Sequence, residues 1–157
     1  GTETNDEFEI PDTFVSLSRN KQAEEYVKRV GSYEAYLSGL ADIRYDLQQD
    51  RVVYLVKSIS NGRVVDATGR SLTNRKPKWR RYGTSRNTFF CGDGLHGIIV
   101  EDCPSACSIS HLTVGISLMG TSLLDEHIDT IRQFKKVYIV FERIMRTGIY
   151  LMIQLTE

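Results

Sequence analysis

The sequence has few of the residues that cross-link a chain or bind metals in clusters. Its three cysteines, Cys91, Cys103 and Cys107, are an odd number and include no Cys-x-x-Cys pair. Its three histidines have no metal-ligand spacing either, so we expect both residue types to be structural. We therefore expect no disulfide framework, and we predict a reduced, cytoplasmic protein without structural zinc.

The sequence also lacks an excess of charge and a long apolar run. Twenty basic residues cancel twenty acidic ones, so only the distribution of charge can indicate a partner. No apolar run approaches the length of a membrane span and there is no signal-peptide pattern, so we expect no membrane partner. The first residue is Gly1 rather than Met, as expected of a fragment. With 41% hydrophobic residues in 157, the chain can bury one sizeable core.

The second half of the sequence predicts the order strand, helix, strand, helix, strand. The apolar run 97–100 ends on Glu101 and Asp102, and Pro104 follows where it favours the start of a helix. Further strands are predicted within 111–119 and over 136–141, the last of which ends on Glu142. This order implies right-handed crossovers in a mainly parallel sheet flanked by helices. We expect the first and third strands to be neighbours, with the carboxylates at one edge of the sheet.

The first half has a different character. Residues 1–17 are acidic and polar and are predicted to be a mobile lead-in. Residues 18–94 are predicted to form a smaller subdomain of two helices, 18–30 and 32–37, and antiparallel strands, because Asn61-Gly62 between two apolar runs is a strong hairpin signal. Residues 95–157 then hold the parallel sheet. The predicted fold class is α/β in this second half and α+β overall.

A concentration of positive charge lies between the two halves. Six basic residues occur within twelve positions without an acidic one: Arg75, Lys76, Lys78, Arg80, Arg81 and Arg86. Trp79 and Tyr82 lie among them. Such a segment is either a solvated loop or a surface that binds phosphates, with an aromatic ring that stacks on a base. In a neutral protein, this concentration of one sign favours the second interpretation.

Two blocks of sequence resemble the catalytic core of bacterial and phage DNA primases, over roughly residues 18–151. Residues 50–56, residues 62–70 and Pro77-Lys78-Trp79 are similar to its amino-terminal part. The next half resembles its Toprim fold, in which strands end in Glu-Gly-x-x-Asp-Ala, Leu-Gly-Thr and Asp-x-Asp. The residues at these positions are Glu101-Asp102-Cys103-Pro104-Ser105-Ala106, Met119-Gly120-Thr121 and Glu142-Arg143-Ile144.

The resemblance implies a nucleotidyltransferase that makes RNA primers on single-stranded DNA. It implies Mg²⁺ or Mn²⁺ as the metal, and the DNA template, ribonucleotides and a replicative helicase as partners. By the same resemblance Glu101 and Glu142 are catalytic, both bind metal together with Asp102, and Arg70 and Lys78 bind nucleotide phosphates. The predicted nucleic-acid surface comprises Arg75, Lys76, Trp79, Arg80, Arg81 and Arg86.

Two acids of the family pattern are replaced. Ser105 stands where the first motif has Asp, and Ile144 where the third motif has its second Asp. Magnesium needs only one or two protein carboxylates when water and phosphate oxygens complete its octahedron, so Glu101 and Glu142 are compatible with activity. The alternative is a nucleic-acid-binding or replication-accessory module that kept the fold and lost the reaction. Toprim topoisomerases and nucleases fit less well, because the first half resembles the primase subdomain.

Overall fold

The computed structural model describes residues 8–85, 87–120, 123–140 and 152–154, which form two five-stranded sheets and the helices packed on them. The first sheet is antiparallel, in the order β1-β2-β3-β4-β5. The elements of this half are β1 (Phe14–Ser16), a 3-10 turn (Leu17–Arg19), α1 (Lys21–Arg29), α2 (Tyr33–Ser38), β2 (Ile43–Asp46), β3 (Arg51–Lys57), β4 (Val64–Ser71) and β5 (Trp79–Arg81).

The hairpin predicted at Asn61-Gly62 is present and joins β3 to β4. Gly62 has a φ of +73°, a left-handed conformation that glycine adopts without steric cost. The inner face of β3 presents Val52, Tyr54 and Val56, all fully buried, to α1. This hairpin is therefore the base of the first hydrophobic core.

The first helix begins later than the sequence predicts. Ser18 lies in the 3-10 turn, and α1 starts at Lys21. The cap is Asn20, whose side-chain oxygen accepts a hydrogen bond from the backbone N–H of Ala23 at 2.9 Å. Asparagine caps helices as well as serine does, and the full burial of Leu17 fixes the turn that precedes it.

Residues 8–17 are part of the folded unit, in contrast to the mobile lead-in predicted for 1–17. Strand β1 pairs with β2, and Phe14 is buried on the outer face of the first sheet. Phe8 and Ile10 pack on the same cluster. The acidic composition of the segment led to the prediction of mobility, but burial of these apolar side chains against the sheet orders it.

The second sheet has the order β10-β9-β7-β8-β6. Its central strand β7 is parallel to β8 and to β9, while both edge pairs are antiparallel. The predicted fold class and the predicted adjacency of the first and third strands are thus confirmed. The elements of this half are β6 (Phe89–Cys91), β7 (His96–Val100), α3 (Cys103–Ser108), β8 (Val114–Ser117), α4 (Asp125–Ile131), β9 (Lys136–Val140) and β10 (Met152–Gln154).

Strand β6 belongs to the second sheet, although the sequence predicts that residues 18–94 form the first subdomain. Its three residues pair antiparallel with β8, and such a short run gives no sequence signal of its partner. Helix α3 packs tightly on β8, where the carbonyl group of Ala106 leaves no room for a Cβ at Gly115. Cys91, Cys103 and Cys107 are free thiols buried in this region, which agrees with a structural role. None of the described helices is long and apolar enough to span a membrane.

Candidate functional site

A cleft of about 230 Å³ lies between the two sheets, where β7 and β8 end. The wall from the first sheet consists of Thr68, Lys78 and Trp79, and the opposite wall of Glu101, Asp102, Cys103, Met119 and Gly120. Glu101 thus lies at the carboxyl end of a central parallel strand, the position that favours function in sheets of this type. We refer to this space as the carboxylate cleft.

The backbone around Glu101 is tied to the end of the neighbouring strand. The carbonyl oxygen of Glu101 accepts hydrogen bonds from the backbone N–H of Gly120 at 3.2 Å and from the hydroxyl of Ser117 at 3.3 Å. The same hydroxyl accepts from the backbone N–H of Met119 at 3.0 Å, and Ser117 is fully buried. These bonds fix the two strand ends relative to each other, so the half-exposed side chain of Glu101 projects from a rigid base.

Asp102, a predicted metal ligand, is the N-cap of α3. Its Oδ1 atom accepts a hydrogen bond from the backbone N–H of Ser105 at 2.9 Å. Ser105 therefore occupies the first turn of the helix, and its backbone explains why an aspartate at position 102 stabilises the fold. The metal-binding role of Asp102 stays a prediction, as does that of Glu142, which lies outside the described residues together with Ile144. Within the described part of the chain, no three His, Cys, Asp or Glu side chains are grouped to hold a metal ion.

A second space, of about 380 Å³, shares Lys78, Trp79 and Asp102 with the carboxylate cleft. Its other lining residues are Tyr26, Arg29, Val30, Arg70, Pro104 and Ser105. Three cations, Arg29, Arg70 and Lys78, thus border a space that adjoins the carboxylates. We refer to it as the cationic cleft.

Tyr26 orders two of these cations. The guanidinium carbons of Arg29 and Arg70 lie 5.6 and 6.0 Å from the centre of its ring, within the range of cation–π attraction. Tyr26 is 6% exposed, and burial raises the pKa of its phenol, so the ring stays neutral. The sequence predicted Arg70 as a phosphate-binding residue but not Arg29. A basic residue in the last turn of a helix is already explained by the helix dipole, so Arg29 gave no sign of a binding role.

The predicted nucleic-acid surface is only partly assembled. Arg75 and Lys76 are exposed in the β4–β5 connection. Trp79 and Arg80 lie half-buried on β5, where the Trp79 ring packs against Tyr54 at 5.9 Å and Arg80 lies 5.0 Å from the ring centre of Tyr82. Arg86 lies outside the described residues.

Arg81 forms several hydrogen bonds within the protein, so its place on a nucleic-acid surface stays a prediction. Its Nε donates to Oδ2 of Asp66 at 2.6 Å, and its Nη2 donates to the carbonyl oxygens of Ser85 and Asn87 at 3.1 and 2.8 Å. Its Nη1 lies 3.8 Å from Oε1 of Glu126 on α4. Arg81 therefore joins the first sheet to a helix of the second half.

His127 supports the loop that carries Gly120 and is structural, as predicted. Its Nδ1 accepts a hydrogen bond from the backbone N–H of Leu124 at 2.9 Å, so the ring proton is on Nε2, which donates to the carbonyl oxygen of Leu118 at 3.0 Å. The ring is fully buried, and burial is the main cause that lowers its pKa, while the negative charge of Glu126 opposes this shift and the positive charge of Arg81 adds to it. The neutral imidazole thus bridges the end of β8 and the start of α4.

This environment predicts that the protein loses stability in mild acid. The pKa of His127 is lower when folded than the value of about 6.5 expected when unfolded, so the unfolded state binds more protons between these two values. The free energy of unfolding should therefore fall as pH decreases from about 6.5, by up to about 1.4 kcal/mol per pH unit. Thermal unfolding between pH 5 and 7.5 measures this slope.

His127→Gln should flatten the dependence of the free energy of unfolding on pH. The matched control is His111→Gln, which removes an exposed histidine and should leave that dependence unchanged. An unchanged slope in His127→Gln would assign the pH dependence to another group.

Comparison with protein-family models and with curated proteins finds no match for this chain. Solved structures do match. The crystal structure of the Aquifex aeolicus primase, zinc-binding and RNA polymerase domains, has a TM-score of 0.60 at 22% identity, covering 85% of this chain and 47% of that one. The E. coli primase catalytic core has a TM-score of 0.58 at 16% identity, covering 78% and 55%.

A DnaG primase catalytic domain bound to single-stranded DNA has a TM-score of 0.55 at 16% identity, covering 76% of this chain and 55% of that one. The chain thus spans about half the length of the structures it matches. At these identities the similarity concerns the fold alone, and the fold-level resemblance predicted from the two sequence blocks is confirmed: the chain has the fold of bacterial primase catalytic cores.

Proposed function

We propose that the chain is the core of a primase-type nucleotidyltransferase, which joins ribonucleotides on a single-stranded DNA template. The observation that carries the proposal is the position of Glu101 in a cleft that adjoins three cations, Arg29, Arg70 and Lys78. Phosphoryl transfer needs both groups, because cations stabilise the charge on the triphosphate while a carboxylate takes part in proton transfer or metal binding. The primase-like fold supports this reaction class.

In the proposed reaction, the 3′-hydroxyl of the growing primer attacks the α-phosphorus of a ribonucleoside triphosphate. A new P–O bond forms, the bond to the β-phosphate breaks, and pyrophosphate leaves. Glu101 accepts the hydroxyl proton, while Arg29, Arg70 and Lys78 bind the phosphates. Trp79, on the wall shared by both clefts, offers a ring face to a base.

Magnesium fits the donors that this site offers. Glu101 and Asp102 border the carboxylate cleft, and carboxylate oxygens are the protein ligands that Mg²⁺ prefers. Glu101, Asp102 and Glu142 are the residues that would hold the metal. When bound, the metal would neutralise charge on the transferring phosphoryl group.

Single-stranded DNA should bind the exposed cations of the β4–β5 connection, Arg75 and Lys76, together with the half-buried Arg80 of β5. Changing Arg75, Lys76 and Arg80 together to glutamine should weaken binding and reduce the slope of log affinity against log salt by roughly 2, about 0.7 for each phosphate contact of a single strand. Arg81 is left in place because it is engaged internally. Fluorescence anisotropy titrations from 50 to 300 mM salt measure the slope.

The control for this experiment removes three positive charges elsewhere. Arg19, Lys21 and Arg63 are exposed and line neither cleft, so their combined change to glutamine should keep most of the slope. If the salt slope falls by the same amount in both triple variants, binding follows net charge, and Arg75, Lys76 and Arg80 are not the binding site.

A non-catalytic nucleic-acid-binding module is the second candidate. It is favoured by the use of Asp102 as a helix cap and by the serine at position 105, where the family pattern has an acid. Primer synthesis on single-stranded DNA, with ribonucleotides and Mg²⁺ or Mn²⁺, separates the two functions. If the chain is the enzyme, the assay should yield an oligoribonucleotide product that depends on the metal. The binding module predicts none with either metal, even after a primase zinc-binding module and a replicative helicase are added.

A further inference from the structure

Arg51, the first residue of β3, is a buried cation outside both clefts. It is 1% exposed, and no carboxylate among the described residues forms an ion pair with it. Its cross-strand neighbour Asp46 is engaged elsewhere, since its Oδ2 accepts the hydroxyl of Tyr82 at 2.6 Å and its Oδ1 accepts the backbone N–H of Gln48 at 2.9 Å. The Nε of Arg51 has no hydrogen-bond partner, and burial lowers the pKa of its guanidinium. A cation in this setting costs stability.

The hydrogen bonds described for Arg51 go to the backbone beside the cationic cleft. Its Nη1 donates to the carbonyl oxygen of Gly69 at 3.0 Å and lies 3.4 Å from that of Lys78. Gly69 directly precedes Arg70, and Lys78 is itself a cleft residue. One guanidinium group therefore contacts the backbone next to both of the phosphate-binding cations predicted from the sequence.

The packing around Gly69 shows how closely Arg51 is fitted to this backbone. A Cβ at position 69 would lie 2.9 Å from Cε2 of Tyr82 and 3.3 Å from Cβ of Arg51, so only glycine allows both side chains to cover β4 there. The β4–β5 connection leaves the sheet just beyond this point and returns at Lys78, whose carbonyl oxygen also accepts the N–H of Ser71 at 3.0 Å. Arg51 thus contacts both ends of the connection.

We propose that Arg51 is a positioning residue for the phosphate-binding cations. By holding the carbonyl groups of Gly69 and Lys78, it fixes the backbone from which Arg70 and Lys78 project into the cationic cleft. A lysine would not reproduce these contacts, because both come from Nη1 at the far end of a planar guanidinium, whereas the ammonium ends a shorter side chain without that plane. The inference rests on the proposed function, since it assumes that these cations bind a nucleoside triphosphate.

A double-mutant cycle with ATP and Mg²⁺ tests the inference. Lys78→Met should weaken ATP binding by about tenfold, the change expected when one charged hydrogen bond is lost. Arg51→Met should weaken it by a similar factor, and the double variant should lose less affinity than the two single losses combined, because Arg51 acts in part through Lys78. Isothermal titration measures the three affinities. If Arg51→Met fails to fold, Arg51→Lys takes its place in the cycle.

Val53→Ala controls for a general loss of stability. Val53 is fully buried on the same face of β3, two residues from Arg51. Its change to alanine should lower the unfolding midpoint while leaving ATP affinity unchanged. A second readout is the hydrogen exchange of the Ser71 amide, whose acceptor is the Lys78 carbonyl. Exchange should be faster in Arg51→Met than in a Val53→Ala protein of equal stability.

The outcomes separate the inference from the proposed function. If Lys78→Met weakens ATP binding but Arg51→Met does not, or if the two effects add, Arg51 is not a positioning residue and the proposed function stands. Equal Ser71 exchange in Arg51→Met and Val53→Ala would also overturn the inference. If Lys78→Met leaves ATP binding unchanged, the proposed phosphate site fails and the inference fails with it.

Discussion

Glu101→Gln is expected to reduce primer synthesis by about 10²–10⁴-fold, the contribution typical of a positioned proton acceptor. Glutamine has nearly the same shape as glutamate, but it can neither accept the proton of the attacking hydroxyl nor bring negative charge to Mg²⁺. The fold should be retained, because glutamine keeps the carbonyl oxygen at position 101 that accepts hydrogen bonds from Gly120 and Ser117. Product formation on a single-stranded template, with thermal unfolding and DNA binding measured in parallel, checks each part.

The control is Asp93→Asn. Asp93 is exposed at the amino end of β7, the opposite end of the strand that carries Glu101, and this variant should keep the wild-type rate. Ile144→Asp restores an acid at a position where the family pattern has one and should raise the rate. A Glu101→Gln protein that makes primers at the wild-type rate would remove Glu101 from the reaction.

The position of Glu101 could be predicted from the sequence because the relevant signal is local. An apolar run that stops at two carboxylates and a proline predicts a buried strand, a turn and a helix, and the strand order follows from the alternation of elements. The same local reasoning predicted the Asn61-Gly62 hairpin. These features depend on neighbours in sequence, so one chain is enough to find them.

Contacts between distant segments could not be predicted in this way. Arg29 and Arg70 meet on one ring only after α1 packs on the first sheet, and Arg51 reaches Lys78 across 27 residues of sequence. The role of Arg81 depends on the β4–β5 register, which pairs Thr68 with Arg81 and brings Asp66 of β4 within its reach. In the sequence, Arg81 is one of six basic residues and has nothing to distinguish it from Arg80.

Arg81→Gln is expected to lower the free energy of unfolding by about 3 kcal/mol, the low end of the cost of breaking a buried ion pair. Asp66 is fully buried, and its Oδ2 would lose the only charged donor described for it. The backbone N–H groups of Ala67 and Gly83 still donate to its Oδ1, both at 2.7 Å, which keeps the loss moderate. Urea denaturation, analysed with a common slope, measures the difference between variant and wild type.

Arg80→Gln is the matched control, because Arg80 is the preceding residue on the same strand and makes a cation–π contact with Tyr82 instead of a buried ion pair. Arg80→Gln should lower the free energy of unfolding by less than about 1 kcal/mol but reduce the salt dependence of DNA binding, whereas Arg81→Gln should cost stability and leave the salt slope nearly intact.

A double variant tests the ion pair itself. In Arg81→Gln the buried carboxylate of Asp66 loses its charged partner, and Asp66→Asn/Arg81→Gln removes that carboxylate as well. The double variant should therefore lose less stability than the two single losses summed. If Arg81→Gln instead lowers the salt slope at unchanged stability, Arg81 belongs to the nucleic-acid surface, as its sequence neighbourhood predicts, and its bonds to Asp66, Ser85 and Asn87 contribute little to folding.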